Sequence, residues 1–255
     1  MLTSAFYKHA QALVPVFQEF ARTVQYEKKG ILFSEMLFFV ALVRSKPTKP
    51  LRIIESGRAR AQSTLTLARL FPELPVVSIE YDPNSPDTVI AAERLKDCAN
   101  VELRFGDSSQ ILPKIVRAGD VVLIDGPKHF RALRLAMRLL NHNHTHLVFV
   151  HDVHRGIPER AFLEKYAPTS TYSDQADFVA TYRHLDEICW QVLGNPSGEK
   201  EAQSFVEACG DSYGPTFAAL EPPVTGTTFP LLAHLALERR ALLGRWEASR
   251  AKRIK

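Results

Sequence analysis

The sequence predicts an α/β fold with a doubly wound, mostly parallel sheet. Between residues 51 and 150, short apolar runs alternate with segments that carry apolar residues at helical spacing. Such alternation requires crossover connections, which place parallel strands in one sheet with helices on both faces. Each apolar run also ends on acidic or other polar residues, and open parallel sheets bind their ligands at the carboxyl ends of the strands. We therefore expect one crevice at that edge of the sheet.

The composition is that of a globular protein. The 255 residues are 45% hydrophobic and 24% charged, which is ordinary for one domain with terminal additions. No apolar run approaches the roughly 20 residues that a membrane-spanning helix needs, and residues 1–10 lack the basic start and apolar centre of a signal peptide. We expect a cytoplasmic protein without a membrane partner.

Charge and cysteine content exclude some further classes. The three cysteines have no CxxC spacing, so neither a disulfide framework nor a cysteine zinc site is indicated. The net charge of +4 comes largely from the tail after Arg239. A solvated helix end is the usual reason for such a run, so the charge does not point to a nucleic-acid partner.

Two helices are expected before the first strand, over Ala5–Val24 and Ile31–Val43, because apolar residues recur there at helical spacing. They form a helical extension, residues 1–48, that must pack on the core or on another subunit. A homodimer through these helices and packing within one subunit explain their apolar residues equally well. The residues concerned are Phe6, Phe17, Leu37 and Phe38.

The core, residues 49–184, opens with a strand, a glycine-containing turn, a helix and a strand over Leu51–Asp82. The elements expected after it are helix Thr88–Asp97, strand Val101–Phe105, helix Gln110–Val116, strand Val121–Ile124, helix Phe130–Leu140, strand Leu147–Val150 and helix Pro158–Tyr166.

The end of the core and the C-terminal segment have weaker patterns. Two extended stretches, Thr169–Ser173 and Phe178–Tyr182, are expected to pair antiparallel at the sheet edge. Residues 185–255 are expected to be a helical segment with a basic tail, comprising helix Leu185–Leu193, a Gly- and Pro-containing stretch, and a long basic helix over Phe229–Lys252.

The turn after the first strand carries the first functional signal. Gly57 lets a ligand come close to the backbone at the start of the next helix. Glu80 ends the second strand about 20 residues further on, where a Rossmann-type sheet binds ribose hydroxyls. Ala59 and Ala61 stand where a dinucleotide fingerprint has glycine, so a purely structural turn remains open as an alternative.

The order of these motifs resembles the class I S-adenosylmethionine-dependent methyltransferases, and in particular their small-molecule O-methyltransferase-like branch. The resemblance covers Phe33 to Arg183. It is carried by ESGRARAQST at residues 55–64, IEYD at 79–82, GDS at 106–108, IDGPKH at 124–129 and VHD at 150–152.

This resemblance implies S-adenosylmethionine as the cofactor and a Rossmann-like fold. Gly57 and its neighbours, with Ser63 among the cofactor-binding residues, would pass under the methionine part. Glu80 would bind the ribose hydroxyls. The remaining residues implied are Asp107 and Ser108 at the adenine edge, and Glu55 and Asp125 near the amino group and the transferable methyl.

Methyl transfer to a hydroxyl needs a proton acceptor, and histidine is suited to this near neutral pH. His129 and His151 follow predicted strands and are the candidate general bases. The structural alternative is that His129 starts a helix and His151 caps a strand.

Some methyltransferases of the similar group bind a divalent cation at these same two strand ends. Asp125 and Asp152 match their aspartates and are the candidate ligands of magnesium or manganese, although Val153 replaces the asparagine of their pattern. Cations on the turns of the crevice would favour an anionic small-molecule acceptor. These are Arg58, Arg60, Lys128 and Arg155.

The leading hypothesis is a methyltransferase acting on a hydroxyl of a small molecule such as a sugar or secondary metabolite. One alternative is a nucleoside-binding or scaffold protein of the same fold that does not turn over. Another is a nucleic-acid methyltransferase that uses the basic C-terminal helix. A nicotinamide oxidoreductase is disfavoured because the turn lacks the glycines that admit a pyrophosphate.

Overall fold

A computed structural model of the chain describes residues 2–24, 30–142, 145–192, 203–204, 206–222, 235–240 and 242–243. Within this part of the chain, one sheet contains seven strands. They are β1 (Arg52–Ser56), β2 (Val76–Glu80), β3 (Val101–Phe105), β4 (Asp120–Ile124), β5 (Leu147–Val150), β6 (Thr171–Tyr172) and β7 (Ala218–Leu220).

The sheet confirms the predicted fold class. Its strand order is β3-β2-β1-β4-β5-β7-β6, and β1 to β5 are all parallel. β7 runs antiparallel to both β5 and β6. The order of the first five strands is that of a Rossmann sheet, whose direction of winding changes between β1 and β4. A ligand crevice is expected at that point.

The described residues contain nine helices that are labelled α1 to α9 here. They are α1 (Ser4–Thr23), α2 (Phe33–Ser45), α3 (Gln62–Leu70), α4 (Pro86–Leu95), α5 (Ser108–Ile115), α6 (Phe130–His142), α7 (Pro158–Tyr166), α8 (Ala176–Tyr182) and α9 (His184–Val192). The helices and strands predicted between residues 51 and 166 are present, with ends shifted by at most two residues where both are defined. None of the helices described is long and apolar enough to cross a bilayer.

The two faces of the sheet bury separate halves of the core, because successive strand residues point to opposite sides. On β1, Ile53 faces the half that contains α1, α2 and α9, whereas Ile54 faces the half that contains α6 and α7. Val121 and Val122 on β4 alternate in the same way. Both faces are covered, so the strands read as nearly continuous apolar runs.

The N-terminal helices pack on the first of these faces. Helix α2 is buried from Phe33 to Val43, and its Phe39 ring lies 4.2 Å from the ring of Phe149 on β5. The four apolar residues for which a homodimer was considered are fully buried within the chain. Packing within one subunit therefore accounts for them, and a homodimer stays a prediction.

The expectation of a strand over Phe178–Tyr182 was wrong, since this segment belongs to helix α8. Phe178 and Tyr182 are four residues apart, and both side chains are buried with ring centroids 5.0 Å from each other. A spacing of four residues is typical of a helix, but it was interpreted from the sequence as part of an extended stretch. The neighbouring strand β6 pairs with β7 instead.

The C-terminal segment is described only in part. The helix expected over Leu185–Leu193 corresponds to α9. Most of the long basic helix expected over Phe229–Lys252 lies outside the described residues, although 235–240 and 242–243 are helical.

Candidate functional site

A crevice opens at the carboxyl ends of β1 to β4, on the edge of the sheet expected from the sequence. Its volume is about 350 Å³, within the range of small-molecule sites. The residues that line it include Gly57, Glu80, Tyr81, Asp107, Ser108 and Arg131. Four of these six are predicted cofactor-binding residues, so the structure brings them together, while their binding roles stay predictions.

One wall of the crevice forms where the backbone after β1 meets the backbone after β4. Gly57 has φ +92°, and a Cβ there would lie 2.8 Å from the nitrogen of Gly126. The amides of Asp125 and Gly126 both donate to the carbonyl oxygen of Ser56, at 2.8 and 3.0 Å. A side chain at position 57 would force these two strand ends apart, so the position requires glycine.

The carboxylate of Glu80 stands at the end of β2, beside the turn after β1. Its Oε2 accepts a hydrogen bond from the amide of Ala59 at 2.8 Å, and its Oε1 accepts one from the amide of Tyr81 at 2.6 Å. Each oxygen keeps a second lone pair, so the group can also accept from two ribose hydroxyls. Ala59 and Ala61 have φ values of +44° and +67°. The turn thus keeps a glycine-type backbone although two of its residues carry methyl groups.

Asp107 and Ser108 form another wall at the start of α5. Asp107 caps the helix by accepting from the amide of Ser109 at 2.9 Å. The Ser108 hydroxyl donates to the carbonyl oxygen of Gly126 at 3.0 Å, which ties this wall to the turn after β4. Both residues line the crevice, and the role at the adenine edge that the resemblance implies for them stays a prediction.

Glu55 and Ser63 do not fit the expected crevice lining. Glu55 has no exposed surface, and its carboxylate accepts hydrogen bonds from the hydroxyls of Ser63, Thr64 and Ser78. Burial raises the pKa of Glu55, although these hydroxyls oppose the shift. Ser63 is itself buried. This group is a polar cluster in the protein interior, because Glu55 points into the core rather than out of the strand end.

His151 directly follows β5, and its side chain is only 3% exposed. Its Nδ1 lies 2.7 Å from Oδ1 of Asp125, and its Nε2 lies 3.2 Å from Oε2 of Glu35. Burial disfavours the charged ring, but the two carboxylates outweigh burial and raise the pKa of His151 to about 10. Both ring nitrogens of the imidazolium are then donors. This arrangement does not favour the predicted role of His151 as a general base.

An ion-paired cluster lies between His151 and solvent. The ammonium of Lys128 is 2.5 Å from Oδ1 of Asp125 and 2.5 Å from Oδ2 of Asp152. Oδ1 of Asp152 is 3.5 Å from Nδ1 of His151. Burial opposes the shift, but the charges of His151 and Lys128 lower the pKa of Asp152. The cluster therefore alternates negative and positive groups. It adjoins the crevice through Gly126, which follows Asp125 and lines the crevice.

The two predicted metal ligands, Asp125 and Asp152, lie together in this cluster. With His151 they offer three donor atoms within 4.8 Å of one another. Two carboxylates suit magnesium or manganese. However, Lys128 already pairs with both carboxylates, and His151 holds a proton on the nitrogen that faces Asp125. The donor set therefore fits a divalent cation only if that cation displaces the ammonium of Lys128.

His129 is placed very differently from His151. Its side chain is 84% exposed, and its Nδ1 lies 3.8 Å from Oε1 of Glu159. It stands between Pro127 and Arg131, both of which line the crevice. The ring is thus accessible from solvent at the rim of the site.

All four cations expected on the crevice turns bind groups of the protein itself, and Lys128 does so through its ion pairs with Asp125 and Asp152. Arg58 is 2% exposed and donates from Nη1 to the carbonyl oxygen of Ser78 at 2.8 Å. Arg60 and Arg155 form ion pairs with Asp87 and Asp174, respectively. These arginines give no support to an anionic acceptor.

Glu35 and Arg131 belong to the site and were not assigned to it from the sequence. The signal for Glu35 was an acid in the first turn of an otherwise apolar helix, where burial demands a partner. Arg131 had no such signal, because it resembles any other arginine on the polar side of α6.

No model of a known protein family and no curated protein sequence matches the chain. Solved structures match most of it. One is the O-methyltransferase TomG from Streptomyces achromogenes, which is involved in tomaymycin synthesis and was solved with S-adenosylmethionine. TomG is 20% identical to this chain. The match covers 88% of this chain and 92% of TomG, with a TM-score of 0.49.

Two further structures are similar at the same level. The [4+2]-cyclase SpnF is 15% identical, with 88% of this chain and 98% of SpnF covered and a TM-score of 0.47. The Podospora anserina methyltransferase PaMTH1, solved with S-adenosylhomocysteine, is 15% identical, with coverages of 87% and 89% and a TM-score of 0.45. Likeness at these values concerns the fold and does not specify a reaction for this chain.

The chain has a Rossmann-like fold, shown by its strand order and its parallel strands β1 to β5. The fold that the sequence resemblance implied is thus confirmed, while the binding of a nucleoside by the turn after β1 and the acid at the end of β2 stays a prediction.

Proposed function

We propose that the chain is an S-adenosylmethionine-dependent methyltransferase that acts on a hydroxyl of a small molecule. The observation that carries this proposal is the crevice at the carboxyl ends of β1 to β4, with a charged cluster directly after the end of β4. In the crevice, the turn at Gly57 and the carboxylate of Glu80 suit a nucleoside. We place the acceptor at the side lined by Gly126 and Pro127, where the neighbouring cluster of Asp125, Lys128 and Asp152 offers hydrogen-bonding groups.

The residues at the nucleoside end fit the cofactor in chemical character. Gly57 lets the ligand approach the backbone, Glu80 accepts from vicinal hydroxyls, and Asp107 and Ser108 offer an acceptor and a hydroxyl to a base edge. Bound S-adenosylmethionine supplies an electrophilic methyl group on a sulfonium. The protein then has to orient the acceptor hydroxyl and take up its proton.

His129 is the better placed of the two candidate proton acceptors. Its ring is accessible at the crevice rim, whereas His151 is enclosed with both nitrogens bonded to carboxylates. The carboxylate of Asp152, whose side chain is 39% exposed, can accept a hydrogen bond from the acceptor hydroxyl. In this scheme His129 takes the proton, and Asp152 holds the hydroxyl in line.

Calorimetric titration with S-adenosylmethionine and S-adenosylhomocysteine tests the cofactor assignment. We expect Glu80→Ala to weaken binding by more than about tenfold, or roughly 1.4 kcal/mol. Glu93→Ala is the matched control, because Glu93 is an exposed acid on α4 whose ammonium partner is Lys96. If wild-type protein binds neither compound, the proposed function is wrong.

Transfer of a labelled methyl group tests the acceptor class. We expect label to appear on a hydroxyl-bearing small molecule and His129→Gln to lower kcat by about tenfold or more. Label on RNA would instead favour the nucleic-acid alternative, which rests on the basic tail. Tight cofactor binding without transfer to any acceptor would favour the non-catalytic alternative.

A further inference from the structure

Glu35 of helix α2 contacts His151 although 116 residues separate the two in sequence. Its side chain is 2% exposed. Oε2 accepts from the amide of Leu32 at 3.0 Å and lies 3.2 Å from Nε2 of His151. Oε1 accepts from the amide of Thr216 at 2.6 Å. A buried carboxylate is costly unless it is bonded in this way.

Glu35 and Asp125 hold the imidazole ring of His151 from opposite sides. Because each ring nitrogen has its own carboxylate partner, rotation or flipping of the ring would break two charge-assisted hydrogen bonds. The ring also lies against Phe217, with centroids 4.9 Å apart. The orientation of His151 is therefore determined by α2 on one side and by the crevice on the other.

Through His151, this arrangement determines where the Asp125 carboxylate sits. In the series Glu35, His151 and Asp125, the side chain of Asp125 is the first with appreciable exposure, at 22%. Its Oδ1 receives both the His151 ring and the Lys128 ammonium. A shift of the ring would therefore move the carboxylate and the ammonium next to Gly126, which lines the crevice at its proposed acceptor end.

We propose that Glu35 is a positioning residue, which acts through His151 to hold Asp125 and Lys128 in place for the bound acceptor. This inference rests on the proposed function, because an acceptor must occupy that end of the crevice. It makes the N-terminal helices part of the active site. The competing explanation is that Glu35 only caps α2 and anchors Thr216.

A double-mutant cycle on kcat separates the two explanations. We expect Glu35→Gln and His151→Gln each to lower kcat by about tenfold or more with KM for S-adenosylmethionine changed by less than about threefold. If Glu35 acts through His151, the double variant should lie within about twofold of His151→Gln. Losses that multiply in the double variant would overturn the proposal.

Asp186→Asn is the matched control for a purely structural effect. Asp186 is another fully enclosed acid, and its Oδ1 accepts from the amide of Ser34 at the start of the same helix. Its hydrogen bonds go to Ser34 and Tyr213 rather than to His151, so Asp186→Asn should leave kcat within about threefold of wild type. A tenfold loss of kcat in this control would show that any disturbance at the start of α2 reaches the site, and would overturn a specific role for Glu35.

A proton NMR measurement on ligand-free wild-type protein tests the geometry without turnover. We expect a low-field ring N–H resonance from His151 in wild type, and we expect its chemical shift to change in Glu35→Gln, because one of the two hydrogen-bond partners of the ring changes. An unchanged His151 resonance in a folded Glu35→Gln variant would overturn the proposal, and so would a wild-type spectrum without such a resonance, even if the variants fail to fold. Wild-type protein that shows the resonance but neither binds cofactor nor transfers methyl would instead mark a failure of the proposed function.

Discussion

Gly57 and Asp125 are in backbone contact at the wall of the crevice. A Cβ on Gly57 would lie 2.9 Å from the carbonyl carbon of Asp125 and 3.3 Å from its Cβ. This contact joins the turn after β1 to the end of β4, the two neighbouring strands at which the sheet changes its direction of winding. The turn after β1 and the cluster that begins at Asp125 are therefore connected through a position that admits only glycine.

Gly57→Ala should destabilise the protein and disrupt the crevice together. Its φ of +92° strains any residue with a side chain, and the added methyl group would also collide with the backbone of Asp125 and Gly126. We expect the free energy of unfolding to fall by about 3 kcal/mol, from backbone strain and overpacking combined. Chemical denaturation and S-adenosylhomocysteine titration measure the two effects.

Gly156→Ala separates the strain from the collision. Gly156 has a similar φ of +84°, but a Cβ there would meet nothing within 4 Å. This variant should lose only about 1 to 2 kcal/mol and keep its affinity for S-adenosylhomocysteine. Equal losses of stability in the two variants, with affinity intact in both, would contradict the importance of the contact between Gly57 and Asp125.

The residues that converge on the crevice could be predicted because parallel topology places all strand ends at one edge. Gly57, Asp107 and Ser108 come shortly after a strand and Glu80 ends one, so their meeting requires no knowledge of packing. Glu55 shows the limit of this reasoning. It also lies at the end of a strand, but alternation along β1 turns its side chain toward the hydroxyls inside the core. This orientation depends on how β1 pairs with β2, and the sequence around Glu55 does not show that pairing.

Long-range pairings account for what the sequence did not reveal. Strand β7 has three residues with small or aliphatic side chains, and it exists because it lies between β5 and β6. Glu35 contacts His151 only in the folded chain, because the two residues are far apart in sequence. His151 was predicted as a general base, but the second carboxylate that raises its pKa, Glu35, could not be foreseen from the neighbours of His151 in sequence.

Removal of the Lys128 ammonium should create a stronger metal site. Lys128 pairs with both Asp125 and Asp152, so in wild type a divalent cation meets a positive charge between its two carboxylate ligands. We expect Lys128→Ala to bind Mn²⁺ at least about tenfold more tightly than wild type, because both carboxylates lose their cationic partner. Titration followed by the electron paramagnetic resonance of free Mn²⁺ measures the affinity.

Lys96→Ala is the control for a general change in charge, since Lys96 forms an exposed ion pair with Glu93 on α4. It should leave Mn²⁺ affinity unchanged within about twofold. If wild type already binds Mn²⁺ as tightly as Lys128→Ala does, then Lys128 does not compete with a cation for the two aspartates.

Asp186 should make stability depend on pH. It is fully enclosed, and its carboxyl accepts from the amide of Ser34 and the hydroxyl of Tyr213. Burial is the main cause that raises the pKa of Asp186 to about 7, against a normal value of 3.8, and the nearby charge of Glu35 adds to it. Between pH 4 and pH 7 the folded protein therefore holds a proton that the unfolded chain has released.

The sign of the effect follows from this difference in bound protons. A group whose pKa is higher in the folded state stabilises the fold at low pH, and the stabilisation disappears as pH rises through the folded value. The two pKa values of Asp186 correspond to a loss on the order of 4 kcal/mol across this window. Asp186→Asn keeps a neutral group of the same shape, so its free energy of unfolding should fall less between pH 5 and pH 8 than that of wild type. Urea denaturation at both pH values measures the difference, and parallel pH dependences of the two proteins would show that Asp186 is not protonated in the fold.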